Sequence, residues 1–381
     1  MTKAQVTIEQ PGRLLSLDLF RGLVMFLLIA EGAGVYNAFL NFTSESEGGL
    51  IHSILIQFHH HPWNGLRFWD LIQPSFMFIV GVSMVYSISK RFDRGDSWNI
   101  VFKHIAIRCL ILLAFGTGLH CIYAGEMIWI LRNVLAQLSV TILITFLIFR
   151  LPWKQQLAIS IGLILISDLT YRVFPVEGFN HPYTPDENFG TWMDNLLRNP
   201  ISPGHWVAIN CIPTAAHTIW GSLTGQLLKG NRPQLFKLKT LAIAGAIGLV
   251  TGYLINWGFG SETLRIPIIK RISTGSFVLA SGGWCFLLLA LFYYATDIRG
   301  WRPGWLTIIN VAGTNSIFIY LVANTLAGDW IRPNVHIFSN GIFGSIGLGE
   351  NGIAVITALV CWFILWYLCY WLYQRKIFLR I

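Results

Sequence analysis

A chain of 381 residues that is 54% hydrophobic and only 12% charged lies far from the soluble globular average of about 25% charged residues. Its formal net charge of +9 comes in short clusters between apolar runs and not as one basic stripe. That pattern excludes a nucleic-acid-binding surface and points to a polytopic membrane protein.

Ten runs are apolar and long enough to be candidate membrane spans, at 18–38, 66–89, 103–120, 127–149, 155–172, 205–228, 238–258, 275–296, 304–323 and 351–373. Crossing a hydrocarbon core of about 30 Å takes roughly 20 such residues. The expected fold is an all-α, polytopic bundle of about 10 transmembrane helices forming one domain over 1–381, since no linker, low-complexity tract or tandem repeat divides the chain. Lys3, Arg13, Lys90, Arg91, Arg94, Lys103, Arg150, Lys154, Lys229, Arg232, Lys237, Lys239, Arg299, Arg302, Arg375, Lys376 and Arg380 fall on one side of such a bundle, with few basic residues on the other. The positive-inside rule then puts both termini in the cytoplasm. Residues 1–18 are polar and no small-residue cleavage site follows the first run, so that run is expected to be retained as a helix. The six cysteines show neither metal-ligand spacing nor a disulfide framework, and no metal site is expected.

Ionisable groups inside apolar runs are costly and face the bundle interior, a wet path or one another, so their positions outline a site. In the first run, SLDLFRGLVMFLLIAEGAGVY, Asp18 and Arg21 lie one turn apart and Glu31 follows ten residues after Arg21, roughly 15 Å along a helix axis. The planar fork of Arg21 suits a phosphate; the alternative is an interfacial ion pair with Asp18. Glu31 is followed by Gly32 and Gly34, small residues that let helices approach closely, which argues against an acid facing lipid.

The next signal is HHHPWNGLRFWDL. Consecutive histidines on a helix diverge and do not converge on one metal. Each of His59, His60 and His61 is a candidate general base, and each is equally an interfacial group bonded to loop backbone. Pro62 holds His61 extended, Trp63 suits an interfacial aromatic belt, and Asp70 lies about a turn inside, where it needs a partner. The 172–203 connection, rich in Pro, Asn, Asp and Gly, is either a cap over an external cavity or a solvated connector. Polar residues recur at Arg132, Asn133 and Gln137, at His217, at Lys270, Arg271, Ser273, Thr274 and Ser276, and at Asn315 and Ser316. Together they imply a polar interior.

The ordered segments RLLSLDLFRGL, HHHPWNGLRFWDLIQPSFMFIVGVSM, IPIIKRISTGSFVLASGG and GTNSIFIYLV resemble the transmembrane acetyltransferases related to lysosomal heparan-α-glucosaminide N-acetyltransferase, especially their bacterial relatives. The likeness runs from about Arg13 to Leu321, and its most specific part combines Ser-Leu-Asp-x-x-Arg-Gly with His-x-x-Trp-Asn-Gly-x-x-x-x-Asp-Leu-x-x-Pro. The resemblance implies acetyl-CoA as co-substrate entering from the cytoplasm, a glucosamine-type amine as acceptor on the far side, and a bacterial inner membrane. It puts the catalytic histidine at His60, the motif acid and proline at Asp70 and Pro74, and substrate contacts at Trp63 and Asn64. It also puts a basic residue and a hydroxyl at Lys270 and Ser276, and an Asn-Ser pair at Asn315 and Ser316. Three departures stand out. Glu31 replaces an Asn of the lysosomal enzyme, Val134-Leu135-Ala136-Gln137-Leu138 lacks the cation of Val-Leu-Gln-Arg-Leu, and Gly204-His205-Trp206-Val207 replaces Asp-Pro-Glu-Gly.

The expected reaction is acetyl transfer to an amine. Asp18, Arg21, Lys270, Ser276, Asn315 and Ser316 line the donor route in this scheme, with Asn315 or Ser316 also offering oxyanion donors. His60 takes the ammonium proton or attacks directly, and Glu31 orients His60 or the amine. The alternatives are an amino-sugar permease and an envelope glycan O-acyltransferase. Exposed apolar faces meet membrane lipid and leave room for a homodimer.

Overall fold

The computed structural model describes residues 14–43, 49–128 and 131–379; Lys3, Arg13 and Arg380, which enter the charge argument, lie outside the described residues. Among the described residues every regular element is helical, and extended pairing is limited to one bridge, Asn64 with Ile269. Helix α1 (Leu15–Gly32) starts where the Asp297 carboxylate accepts hydrogen bonds from the Leu15 and Ser16 amides at 3.2 and 2.9 Å. This satisfies two amides that have no partner inside the helix. The chain then bends by 62° into α2 (Val35–Phe42). Gly34 makes the corner with φ of 83°, a left-handed conformation that costs a side chain dearly.

Short α3 (Leu50–Leu55) and the histidine loop lead into α4 (Ile72–Asp93), followed by α5 (Trp98–Ala124) and α6 (Val134–Leu147). The Asn133 side chain caps α6 by accepting from the Leu135 amide at 2.8 Å. Next come α7 (Trp153–Val173), α8 (Phe189–Leu196) in the long connection, α9 (Cys211–Lys229), α10 (Gln234–Trp257) and α11 (Gly275–Phe292). A second bent pair, α12 (Leu306–Ala312) and α13 (Ser316–Thr325), turns by 75°. Helices α14 (Arg332–Ser339) and α15 (Glu350–Gln374) complete the described chain.

Helix α4 runs along α9 and α10 along α11. At the first crossing a Cβ on Gly221 would collide with the Phe78 carbonyl, and one on Gly81 with the Thr218 carbonyl. Bare glycines thus let the two backbones touch, as membrane helices do where no hydrophobic force drives them together.

The protein is an integral membrane protein, and among the described residues six helices are long and apolar enough to cross, or eight if each bent pair is one span. The other two of the ten expected runs hold α6 and α9, which differ from these in length and composition. Helix α6 has only 14 residues, about 21 Å of axial rise. Helix α9 carries Thr214, His217, Thr218, Ser222 and Thr224, all buried. It packs against α4, α6, α7 and α11 and so shows helices, not lipid, on its faces. By contrast α10 exposes Leu235, Ile243, Ile247, Val250 and Trp257, the surface a lipid-facing helix needs.

Candidate functional site: two chambers meeting at Phe76

Two cavities lie inside the bundle. One, of about 780 Å³, is lined by His60, Glu31, Lys270, Trp69, Trp206 and Arg132 among others; the second, of about 560 Å³, by Asp18, Arg21, Arg108, Ser83, Ser87 and Ser316 among others. Phe76 lines both. Five helices, α1, α4, α5, α6 and α13, supply wall to both chambers. Helix α1 gives Leu28 and Glu31 to the histidine chamber and Asp18 and Arg21 to the arginine chamber. Helix α4 gives Ile72 and Gln73, then Ile79, Val80 and Ser83, while α6 and α13 divide their residues in the same manner. Spacings of three and four residues keep these side chains on one helical face.

The histidine loop is pinned at both ends. The Gly65 amide donates to the Ile268 carbonyl at 2.8 Å beside the Asn64–Ile269 bridge, which ties the loop to the segment carrying Lys270. Asp70 sits at its centre, buried, and its Oδ2 accepts from the His61 and Arg67 amides at 3.2 and 2.9 Å. Its Oδ1 meets His60 Nδ1 at 2.8 Å and Lys270 Nζ at 3.7 Å. A carboxylate only accepts, so this shorter contact favours the imidazole proton on Nδ1 against Lys270 Nζ, a donor 3.1 Å from the same nitrogen. The lone pair is then on Nε2, which has no hydrogen-bond partner among the described residues of a chamber-lining side chain.

Charge tunes this group. Burial, reinforced by the Lys270 cation and opposed by Asp70, pushes His60 down to about 4. Burial, opposed by Asp70, pushes Lys270 down to about 8. At neutral pH the imidazole is therefore unprotonated. The Trp206 ring meets the His60 ring edge-on at a centroid distance of 5.4 Å, and Arg271 and Lys270 lie over that indole at 4.5 and 5.4 Å. The tryptophan thus braces the loop against two cations. Glu31 opens onto the chamber and accepts from Trp69 Nε1 at 3.0 Å.

The structure separates residues that the sequence analysis grouped. His59 turns to Asn37 at 2.9 Å, and His60 is the one of the three histidines that lines either chamber. Trp63 and Asn64 do not line the chamber: the Trp63 indole donates to the Tyr183 carbonyl at 2.7 Å and Asn64 is held by its backbone. Ser276 is buried and donates to the Pro267 carbonyl at 2.9 Å, shaping the loop that presents Lys270. Asp18 and Arg21 pair at 2.6 Å at the edge of the arginine chamber. Ser316 lines that chamber, whereas the Asn315 amide holds the C-terminal segment, donating to the Ile377 carbonyl at 3.0 Å and accepting from the Leu379 amide at 2.8 Å. Neither Asn315 nor Ser316 reaches the histidine chamber, so the geometry does not support them as oxyanion donors beside His60. Arg108 and Trp69 line the chambers without having been singled out from the sequence. An arginine inside the 103–120 run is the same kind of signal as Glu31 in the first.

Fold and site together define a polytopic membrane protein with a polar, two-chambered interior. Residues 13–257 match the family described as heparan-alpha-glucosaminide N-acetyltransferase, catalytic, and the chain belongs to that family. It is 25% identical to human heparan-alpha-glucosaminide N-acetyltransferase and 24% identical to the mouse protein, in each case over 97% of this chain. The chain spans 60% of the length of each of these relatives.

Proposed function

We propose that the protein transfers an acetyl group from acetyl-CoA, taken up from the cytoplasm through the arginine chamber, to the amine of a glucosamine-type sugar held in the histidine chamber on the other face of a bacterial inner membrane. The observation that carries this reading is the pair of cavities meeting at one side chain, Phe76, since a thioester arm reaching past it from one chamber meets His60 in the other. The family supports the chemistry. The described residues near each end of the chain, Asp18 and Leu379, line the same arginine chamber, in keeping with both termini being cytoplasmic.

In this mechanism the amine nitrogen attacks the thioester carbonyl carbon while His60 Nε2 accepts the proton the amine loses. Asp70 holds Nδ1–H in place and stabilises the imidazolium that forms. The tetrahedral intermediate collapses with cleavage of the C–S bond, and the imidazolium returns its proton to the departing thiolate. The products are an amide and the free thiol. Lys270 is placed to stabilise the developing oxyanion, the role that Asn315 and Ser316 are too remote to fill. Glu31 accepts a hydrogen bond from the neutral acceptor amine and orients it for attack.

The test is incubation of purified protein with labelled acetyl-CoA and glucosamine. Label should pass to the sugar, and His60→Ala should lower the rate by about 10²–10⁴-fold in a protein that remains folded in detergent. Uptake of the sugar into vesicles without acetylation would make the protein a permease, and full activity in His60→Ala would remove the histidine from the mechanism.

A further inference from the structure

We propose that Arg108 is a phosphate-binding residue of the arginine chamber, gripping the nucleotide end of the acyl donor; the inference rests on the donor reading above. Arg108 lies ten residues after Trp98 on α5, roughly 15 Å along the helix. On its own helix Leu112, one turn further, shares its face and lines the same cavity, while Ile107 and Leu110 are exposed on other faces. The guanidinium thus points into the bundle.

Other arginines near the chambers have acids. Arg132 meets Asp194 at 2.8 Å and Arg21 meets Asp18 at 2.6 Å. Arg108 differs in that no carboxylate among the described residues pairs with it, and its buried Nε has no hydrogen-bond partner there. A guanidinium without a counter-charge in an apolar bundle is costly, and it is retained where a partner arrives from outside the chain. The lining identifies the chemistry of that partner. Two guanidinium groups and the hydroxyls of Ser83 and Ser87 are donors of the kind phosphate oxygens take. Because Asp18 already answers Arg21, Arg108 supplies the excess positive charge. A volume of about 560 Å³ is within the range of small-molecule and cofactor sites, and Leu112, Leu138 and Ile142 offer apolar wall. The same chemistry would also take a lipid phosphate, so the source has to be separated by experiment.

The experiment uses the full chain in a neutral-headgroup detergent, with adenosine 3′,5′-bisphosphate as the binding probe and acetyl-CoA and S-acetylpantetheine as alternative donors. Arg108→Gln should weaken bisphosphate binding and raise the KM for acetyl-CoA by about tenfold or more. It should leave kcat, and the KM for the phosphate-free S-acetylpantetheine, unchanged. Arg108→Lys, which keeps the charge but not the fork, should recover part of the loss and guards against a folding defect in the glutamine variant. Wild-type binding of the bisphosphate by both variants overturns the proposal and leaves the donor reading intact. A wild-type protein that binds neither the bisphosphate nor CoA overturns the donor reading itself. If Arg108→Gln abolishes stabilisation by phosphatidylglycerol and leaves nucleotide binding untouched, Arg108 serves a lipid headgroup and the proposal fails.

Discussion

His60 owes its protonation state to two neighbours that pull in opposite directions. Asp70 fixes the proton on Nδ1 through a 2.8 Å contact, while Lys270, 3.1 Å from the same nitrogen, repels any added charge. Asp70→Asn should reverse the first effect, because the new amide donates to Nδ1 and drives the ring proton to Nε2, where the lone pair is needed. We expect kcat to fall by about 10²–10⁴-fold with little change in KM for acetyl-CoA; an unchanged kcat would show that the ring tautomer is irrelevant to the rate. The second effect has a consequence for stability. The unfolded imidazole takes up a proton near 6.5, and the folded one is pushed down to about 4. As pH falls between these values the unfolded state binds the extra proton, and the contribution of residue 60 to stability is lost. Thermal unfolding in detergent between pH 7 and pH 4.5 should therefore show a smaller acid loss for His60→Gln than for the parent, and parallel curves would refute the coupling. How far such residues are legible in sequence depends on how they act. Asp70 and Lys270 reveal themselves as charges beside apolar runs, and the structure brings both to His60. Trp63 and Asn64, adjacent to the histidines in the chain, are turned away by the backbone pairing of Asn64 with Ile269, 205 residues further on, and residue order carries no trace of such a contact.

Both bent helix pairs carry their polar residues at the break. Glu31 lies at the end of α1 just before Gly34, and Asn315 and Ser316 lie at the start of α13. In the sequence these are continuous apolar runs at 18–38 and 304–323, and hydropathy averages across a corner without registering it. The glycines and asparagine that make the corners are visible, but they equally fit an unbroken helix packed closely on a neighbour. Helix α9 is the opposite case: its run at 205–228 stands out in the sequence, but its buried polar side chains face the other helices of the bundle. The corner at Gly34 is testable. A side chain there must adopt a φ of 83° and would press on the Arg332 guanidinium. Gly34→Ala should cost about 1–2 kcal/mol from the left-handed backbone alone, seen as a lower unfolding midpoint. It should also depress transfer by moving Glu31 relative to Trp69. Unaltered stability and rate would mean that the corner tolerates a side chain and does not set the position of Glu31.

The whole bundle is organised around a partition. Helices α1, α4, α5, α6 and α13 each pass from one chamber to the other, and Phe76, itself only 7% exposed, is the residue that lines both. A donor that is held by its phosphates in one chamber and reacts beside His60 in the other has to bring its thioester past this ring. Glu31 and Arg21, ten residues apart on α1, give the scale of that reach, roughly 15 Å. Two substitutions at the partition then have opposite expected outcomes. Phe76→Trp adds bulk where the arm must pass, so transfer from acetyl-CoA should fall well below the parent rate. Binding of adenosine 3′,5′-bisphosphate should persist, because the arginine chamber keeps its donors. Phe76→Ala removes the barrier and should leave transfer largely intact. With the chambers joined, proteoliposomes carrying this variant should leak protons that the parent holds back. The decisive measurement is the tryptophan variant: wild-type transfer rates with a properly folded protein would mean that the donor reaches His60 by a path that avoids Phe76, and the two chambers would then have to be assigned to separate ligands.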